Sequence, residues 1–321
     1  MISGGLSFLD DDRPRIAMFC GKGGVGKTTS ASATALHFAR RGLQTLLISS
    51  DPTPSLSDIL EVDVRGVITP MNDAPSLHAV ELDYDTIVEL WKEKFGDEVY
   101  EVISSFLPVE EDIIEYVANA PGIDQEFALS YIYDLYSDGA YDVVVWDTAP
   151  AGGTLSLINL QDKFYRHLGE AARLYVRVRS ALEALTRGRA KRDPLKIIAE
   201  WEELSKNVLG MLEDRSTKSF LVTIPEALGV NQTQRVAKEL ERYGIHITGV
   251  IVNYVLTPEA AEFEFNRLRR DMQMRYIKIL EEQFGDTMPV VQIPLLSFEV
   301  RGIEALGRVE ELLFPGGRLS D

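Results

Sequence analysis

The stretch GKGGVGKTT, Gly21 to Thr29, carries two lysines, Lys22 at its start and Lys27 near its end. It fits the G-x-x-x-x-G-K-[ST] pattern of a phosphate-binding loop, with an apolar segment before it and a helical pattern after it. Gly21, Gly23, Gly24 and Gly26, with Val25 among them, let backbone N–H groups turn toward phosphate oxygens, and the following helix presents its positive end. Lys27 is placed to bridge the β- and γ-phosphates of ATP, and the Thr28 hydroxyl to ligate Mg2+, with Thr29 beside it in the phosphate site. That task needs one lysine. The loop pattern alone does not say what Lys22 is for.

Hydrolysis also needs a carboxylate that orients the metal and a group that aims water. YDVVVWDTAPAGGTL ends an apolar run in Asp147, where such loops place a carboxylate that holds Mg2+ through its water shell. Gly152 follows in a turn able to approach the γ-phosphate. TLLISS leads into DPTPSLSD, where Asp51 can accept a proton from the attacking water and also reach the metal's water shell. Asp58, in the same segment, reads as a helix cap.

Such residues have to be held at strand ends. RIAMF, QTLLIS, LHAVEL, YDVVVW, SFLVTI, HITGVIVNYV and PVVQIP are short runs rich in Val, Ile and Leu, and TTSASATALHFARRG is a helical pattern stopping at Gly42. Strands of this kind separated by helices predict an α/β fold, a phosphate-loop NTPase with a mostly parallel central sheet covered by helices on both faces. Residues 85–138 and 155–215 break the rhythm with helical spacing and no good strand, which predicts an inserted α-helical subdomain within a single ATPase domain spanning 1–321. Val99, Val102, Ile103 and Phe106 recur there at helical spacing, a pattern of core or of an apolar groove. The basic run RLYVRVRSALEALTRGRAKRDP has two readings. It is a solvated face balanced by acids such as Glu110, Glu111 and Asp112, or a contact for an acidic partner or anionic membrane surface.

Composition narrows the function. A formal net charge of −17 argues against nucleic acid as a partner, since phosphate contacts need a basic surface. The single cysteine, Cys20, excludes an intramolecular disulfide or a cysteine-rich metal cage within one chain and reads as a small packed thiol. The N-terminal stretch MISGGLSFLDDDRPR lacks the pattern of a secretory signal, and no window approaches a membrane span, so the expected location is the cytoplasm.

Taken together, GKGGVGKTT, DPTPSLSD, WDTAPAGGTL, TIPEALGVNQTQR and VIVNYV followed by QIPLLSFEVRG resemble the ArsA/GET family of ATPases from about Arg15 to Phe314. That family includes arsenical pump-driving ATPases and cytosolic factors that target tail-anchored membrane proteins. The resemblance implies a Mg2+-dependent ATPase working as a homodimer with composite sites, in which Lys22 reaches the partner's nucleotide and acts as an arginine finger does. The bland alternative leaves Lys22 solvated at the loop's mouth. By the same resemblance Asp51 is the catalytic aspartate of the first switch and Asp147 the aspartate of the second. Asn253 would hydrogen-bond adenine, Glu226 would serve the nucleotide site across the interface, and Pro294 would lie in the loop flanking the base.

The resemblance also has departures. Pro54 and Gly153 stand where family switches often carry histidine. The segment AEFEFNRLRRDMQ stands where many targeting factors bind zinc between subunits through C-x-x-C, so no zinc is expected. For the cargo, the first reading is the transmembrane helix of a tail-anchored client, handed on to a membrane receptor, with neither named by the sequence. Met211 is the only methionine from Asp85 to Arg215, so a Met-rich binding surface is not evident. The rival, an arsenite-efflux motor subunit, wants thiolates that one cysteine cannot supply, and a single-length chain departs from two-half pump ATPases. A positioning ATPase of the MinD/ParA kind wants a basic amphipathic terminal helix, which GRVEELLFPGGRLSD lacks.

Overall fold

The computed structural model describes residues 5–51, 55–105, 109–120, 123–149 and 193–316. Pro54, Phe106, Gly152, Gly153 and the basic run ahead of Asp193 lie outside the described residues.

Eight strands form one sheet: β1 (Ile16–Gly21), β2 (Thr45–Ser49), β3 (Thr69–Met71), β4 (Ala74–Glu81), β5 (Val143–Asp147), β6 (Thr217–Thr223), β7 (Ile247–Val255) and β8 (Val290–Pro294). Their order is β3-β4-β2-β5-β1-β6-β7-β8. Every neighbouring pair is parallel except β3 with β4. The apolar runs of the sequence are seven of these strands. β3 carried no signal because it has three residues and contains Pro70, which an edge strand tolerates and a central one does not.

β1 lies between β5 and β6 and is buried at every position, which is why its sequence shows a continuous apolar run and no alternation. Phe19 stacks on Phe220 of β6 with ring centroids 5.2 Å apart. Across the carboxyl edge of the sheet the register places Glu81 beside Ser49, Ser49 beside Asp147 and Asp147 beside Phe19. Three polar side chains therefore end adjacent strands next to the phosphate loop.

Helix α1 (Lys27–Arg40) follows that loop and is buried almost throughout. Ala31, Ala33, Ala35 and Ala39 keep it slim enough to lie close on the sheet. The remaining described helices are α2 (Leu56–Leu60), α3 (Tyr84–Ser104), α4 (Asp112–Ala118), α5 (Ile123–Asp138), α6 (Pro194–Glu213), α7 (Ala227–Arg242), α8 (Glu264–Phe284) and α9 (Gly302–Leu313). α9 packs along α1, and buried His37 links them, facing Glu310 at 3.1 Å and Asp10 at 2.9 Å while stacking on Phe314.

The chain divides into two compact units. The first, Met1–Asp83, Leu135–Leu155 and Glu213–Asp321, holds the sheet and the loop. The second, Tyr84–Asp134 and Ser156–Leu212, is helical in its described residues. Among the described residues no helix is long and apolar enough to cross a membrane.

Candidate active site

The loop from Lys22 to Gly26 joins the end of β1 to the start of α1, so the amino end of a 14-residue helix points into the site. Gly26 has φ +93°, and a Cβ there would sit 2.1 Å from Asn253 Nδ2. A side chain there would be strained by that φ and would have to displace the Asn253 amide. The Asn253 amide, at the end of β7, donates to the Val25 carbonyl at 3.0 Å, and its Oδ1 accepts the Tyr254 N–H at 2.9 Å. In this structure Asn253 braces the phosphate loop from β7, two strands away from β1.

The two lysines are placed very differently. Lys27 is 5% exposed, with Nζ 3.8 Å from Asp51 Oδ2, whereas Lys22 is exposed. Thr28 donates its hydroxyl to Asp147 Oδ2 at 2.7 Å, and Ser49 donates to the same oxygen at 3.2 Å. The other oxygen, Asp147 Oδ1, is buried without a hydrogen-bond partner. Burial pushes the Asp147 carboxyl up to about 6; Thr28, Lys27 and Ser49 pull it back only in part, and Asp51 opposes them.

That unpartnered oxygen beside a threonine hydroxyl fits a site for Mg2+, whose positive charge would offset the burial cost. Among the described residues no cluster of three His, Cys, Asp or Glu could hold a metal alone. Mg2+ keeps several waters and takes phosphate oxygens, so it needs few protein ligands. Thr28 would ligate it directly and Asp147 through water; an ion held there would supply positive charge against that developing on the phosphates.

A cleft of about 590 Å³ opens over these groups. Gly23, Gly24, Gly26, Lys27, Thr28, Thr29 and Asp51 are among the residues lining it, together with Ser55, Asp58, Tyr254 and Arg301. Of the other residues singled out, Pro294 ends β8 opposite Val255. Glu226 precedes α7 and accepts a hydrogen bond from Arg269 at 2.7 Å, outside the residues lining this cleft. Gly21 ends β1 with its Cα against the Val222 carbonyl, where a Cβ would come within 2.2 Å. Asp58 lies in the first turn of α2 without capping it; the cap is Glu81, from β4. Sequence reasoning missed Glu81, Ser49 and Ser55. Cys20 is buried, and desolvation pushes its thiol up to about 12.

A phosphate loop at the carboxyl end of a central parallel strand, with a threonine hydrogen-bonded to a buried aspartate beside it, defines a P-loop nucleoside triphosphatase. The chain matches the model of the anion-transporting ATPases, the ArsA ATPase family, over residues 14–315, and it belongs to that family. It is 30% identical to a protein of Aquifex aeolicus named as an arsenical pump-driving ATPase 2, over 93% of this chain and 99% of the relative. It is also 30% identical to ATPase ASNA1 homolog 1 of Paramecium tetraurelia, over 91% of this chain and 90% of the relative. ATPase get3 of Pyrenophora tritici-repentis is 28% identical over 96% of this chain and 93% of its own length. The chain is an ATP hydrolase of this family.

Proposed function

We propose that this ATPase works in the cytoplasm as a Mg2+-dependent homodimer whose opening and closing captures and releases the apolar helix of a tail-anchored membrane protein. In this reading Lys27 and Thr28 hold the triphosphate and its metal, Asp51 accepts the proton of the attacking water, and Lys22 supplies positive charge to the partner's site. Asn253 hydrogen-bonds adenine, Pro294 lies in the loop flanking the base, Gly152 meets the γ-phosphate, and Glu226 acts across the interface.

The observation that supports a helical cargo is an apolar cavity of about 220 Å³ inside the helical unit. Trp91, Phe95, Val99, Val102, Ile103 and Trp201 are among its walls, three of them from the periodic set of the sequence. A 20-residue helix, about 30 Å long and about 10 Å across, has roughly ten times that volume. The cavity therefore suits one or two anchoring side chains of a bound helix, not the whole of it. The arsenite reading has support in the relative named as an arsenical pump-driving ATPase. Against it stands Cys20, a buried thiol held protonated by desolvation when arsenic needs several exposed thiolates.

Co-expression with a tail-anchored protein tests the cargo. A soluble complex, retained on Asp51→Asn and lost on deleting the client's apolar tail, is the expected result. No soluble complex with either form of the ATPase overturns the targeting role and leaves the hydrolytic site untouched.

A further inference from the structure

Glu81 closes β4 and is 1% exposed. Its Oε1 accepts the N–H groups of Ser55 at 2.7 Å and Leu56 at 2.8 Å. Its Oε2 accepts the Ser57 hydroxyl at 2.8 Å and the Ser57 N–H at 3.4 Å. The Ser57 oxygen in turn accepts the Val64 N–H at 3.2 Å, so the chain on both sides of α2 is tied to one buried carboxylate.

The local sequence explains why an outside carboxylate is needed. α2 has five residues, too few to hold a helix by backbone bonds alone, and Ser55 at its N-cap makes no capping bond with its own side chain. Glu81 takes over that cap, which leaves the Ser55 hydroxyl directed elsewhere. It lies 3.2 Å from Thr28 Oγ1. Thr28 gives its only hydroxyl proton to Asp147, so Ser55 is the donor in that contact.

Both ends of one segment are thus fixed. Before it, Ser50 donates its N–H to the Asp147 carbonyl at 3.1 Å, next to Asp51; after it, Ser55 hangs from Glu81. We propose that Glu81 is a positioning residue for ATP hydrolysis. It holds Ser55 and the start of α2 so that Ser55 meets the metal-binding threonine, and it touches neither nucleotide nor metal itself. The inference rests on the roles given above to Asp51 and Thr28.

Kinetics of the full-length protein test it. In Glu81→Gln the amide still accepts from Ser55 and Leu56 but presents a donor to Ser57. Expected is a fall in kcat of about 10- to 100-fold with KM for ATP within about threefold, the mark of a group acting on the transition state. Combined with Ser55→Ala, the loss should not exceed that of the slower single variant, because both cut one chain of contacts. Unchanged kcat in folded Glu81→Gln, or losses that multiply in the double variant, overturn the proposal. If Glu81→Gln does not fold, Ser57→Ala withdraws the hydroxyl from Glu81 and from the Val64 N–H while keeping the backbone N–H bonds of residues 55–57 to Glu81; a kcat equal to wild type then overturns it. Wild-type protein without Mg2+-dependent turnover would instead overturn the assignment of Asp51 and Thr28.

Discussion

Asn253 donates its side-chain amide to the carbonyl oxygen of Val25 at 3.0 Å, and this bond ties the end of β7 to the phosphate loop. The same amide nitrogen occupies the space that a side chain at Gly26 would need. Loop and strand are therefore fitted to each other, atom against missing atom.

A pair of substitutions exposes that fit. Gly26→Ala meets both a positive φ and a Cβ 2.1 Å from Asn253 Nδ2, so nucleotide binding should be lost by at least about 100-fold. Asn253→Ala leaves the Val25 carbonyl without its donor, a cost of about 1–3 kcal/mol, and should raise KM for ATP by roughly tenfold. The double variant should bind better than Gly26→Ala alone, because the clash is gone and only the backbone strain remains. Equilibrium binding of a non-hydrolysable ATP analogue measures all three; a double variant weaker than Gly26→Ala would contradict the fit.

Asp147 gives a pH test with a definite sign. Its carboxyl is raised from 3.8 to about 6 by burial, so between those values the folded protein holds a proton that the unfolded chain has released. Stability contributed by this group therefore falls as pH rises through that window, and the full cost, about 3 kcal/mol, is present above it. Asp147→Asn removes the titration. In nucleotide-free protein, the unfolding free energy of the variant minus that of wild type should rise by about 1–2 kcal/mol from pH 5 to pH 7.5. Any pH-independent cost of the buried amide cancels in that comparison. Denaturant titrations at the two pH values decide it, and a flat difference removes burial as the cause. Turnover should be lost in the same variant.

Trp146 reports on the chain beside Asp51. Its indole N–H donates to Ser50 Oγ at 2.9 Å, one residue before Asp51, and its ring is 1% exposed. The other tryptophans, Trp91 and Trp201, belong to the helical unit and can be replaced by phenylalanine. In that background Mg2+ and an ATP analogue should shift the Trp146 emission, and Ser50→Ala should shift the emission of the free protein and diminish the response. Identical spectra with and without nucleotide would show that the chain at Ser50 does not respond to it.

The legibility of these features in the sequence follows from how each residue acts. The phosphate loop works through backbone geometry and one lysine, so GKGGVGKT carries nearly all of its own meaning. Buried parallel strands announce themselves as apolar runs, and Asp51 and Asp147 stand where those runs stop. Glu81 also ends a strand, yet a glutamate there looks the same whether solvated or buried. What distinguishes it is a set of backbone donors 24 to 26 residues earlier, brought close only by the β2–β4 register. Asp58 read as a cap because the true cap comes from another strand. Asn253 was singled out only by the family resemblance, as a partner for adenine; its bond to Val25 depends on β7 lying two strands from β1, which no local pattern shows.

Lys22 is the residue whose role the single chain leaves to experiment, because it stands exposed at the loop's start while Lys27 already faces Asp51 at 3.8 Å. If Lys22 serves the partner's site, Lys22→Ala and Asp51→Asn damage different halves of a composite site. A dimer with one copy of each variant then keeps one complete site, built from the Asp51 of one protomer and the Lys22 of the other. Random pairing of equal amounts makes half the dimers mixed, so turnover should recover to about a quarter of wild type from two variants that are each nearly inactive. Co-expression with two purification tags isolates the mixed dimer and should raise that to about half. A lysine acting within its own chain predicts no recovery in either format, and a Lys22→Ala protein that hydrolyses ATP at the wild-type rate would show that the lysine is only solvated.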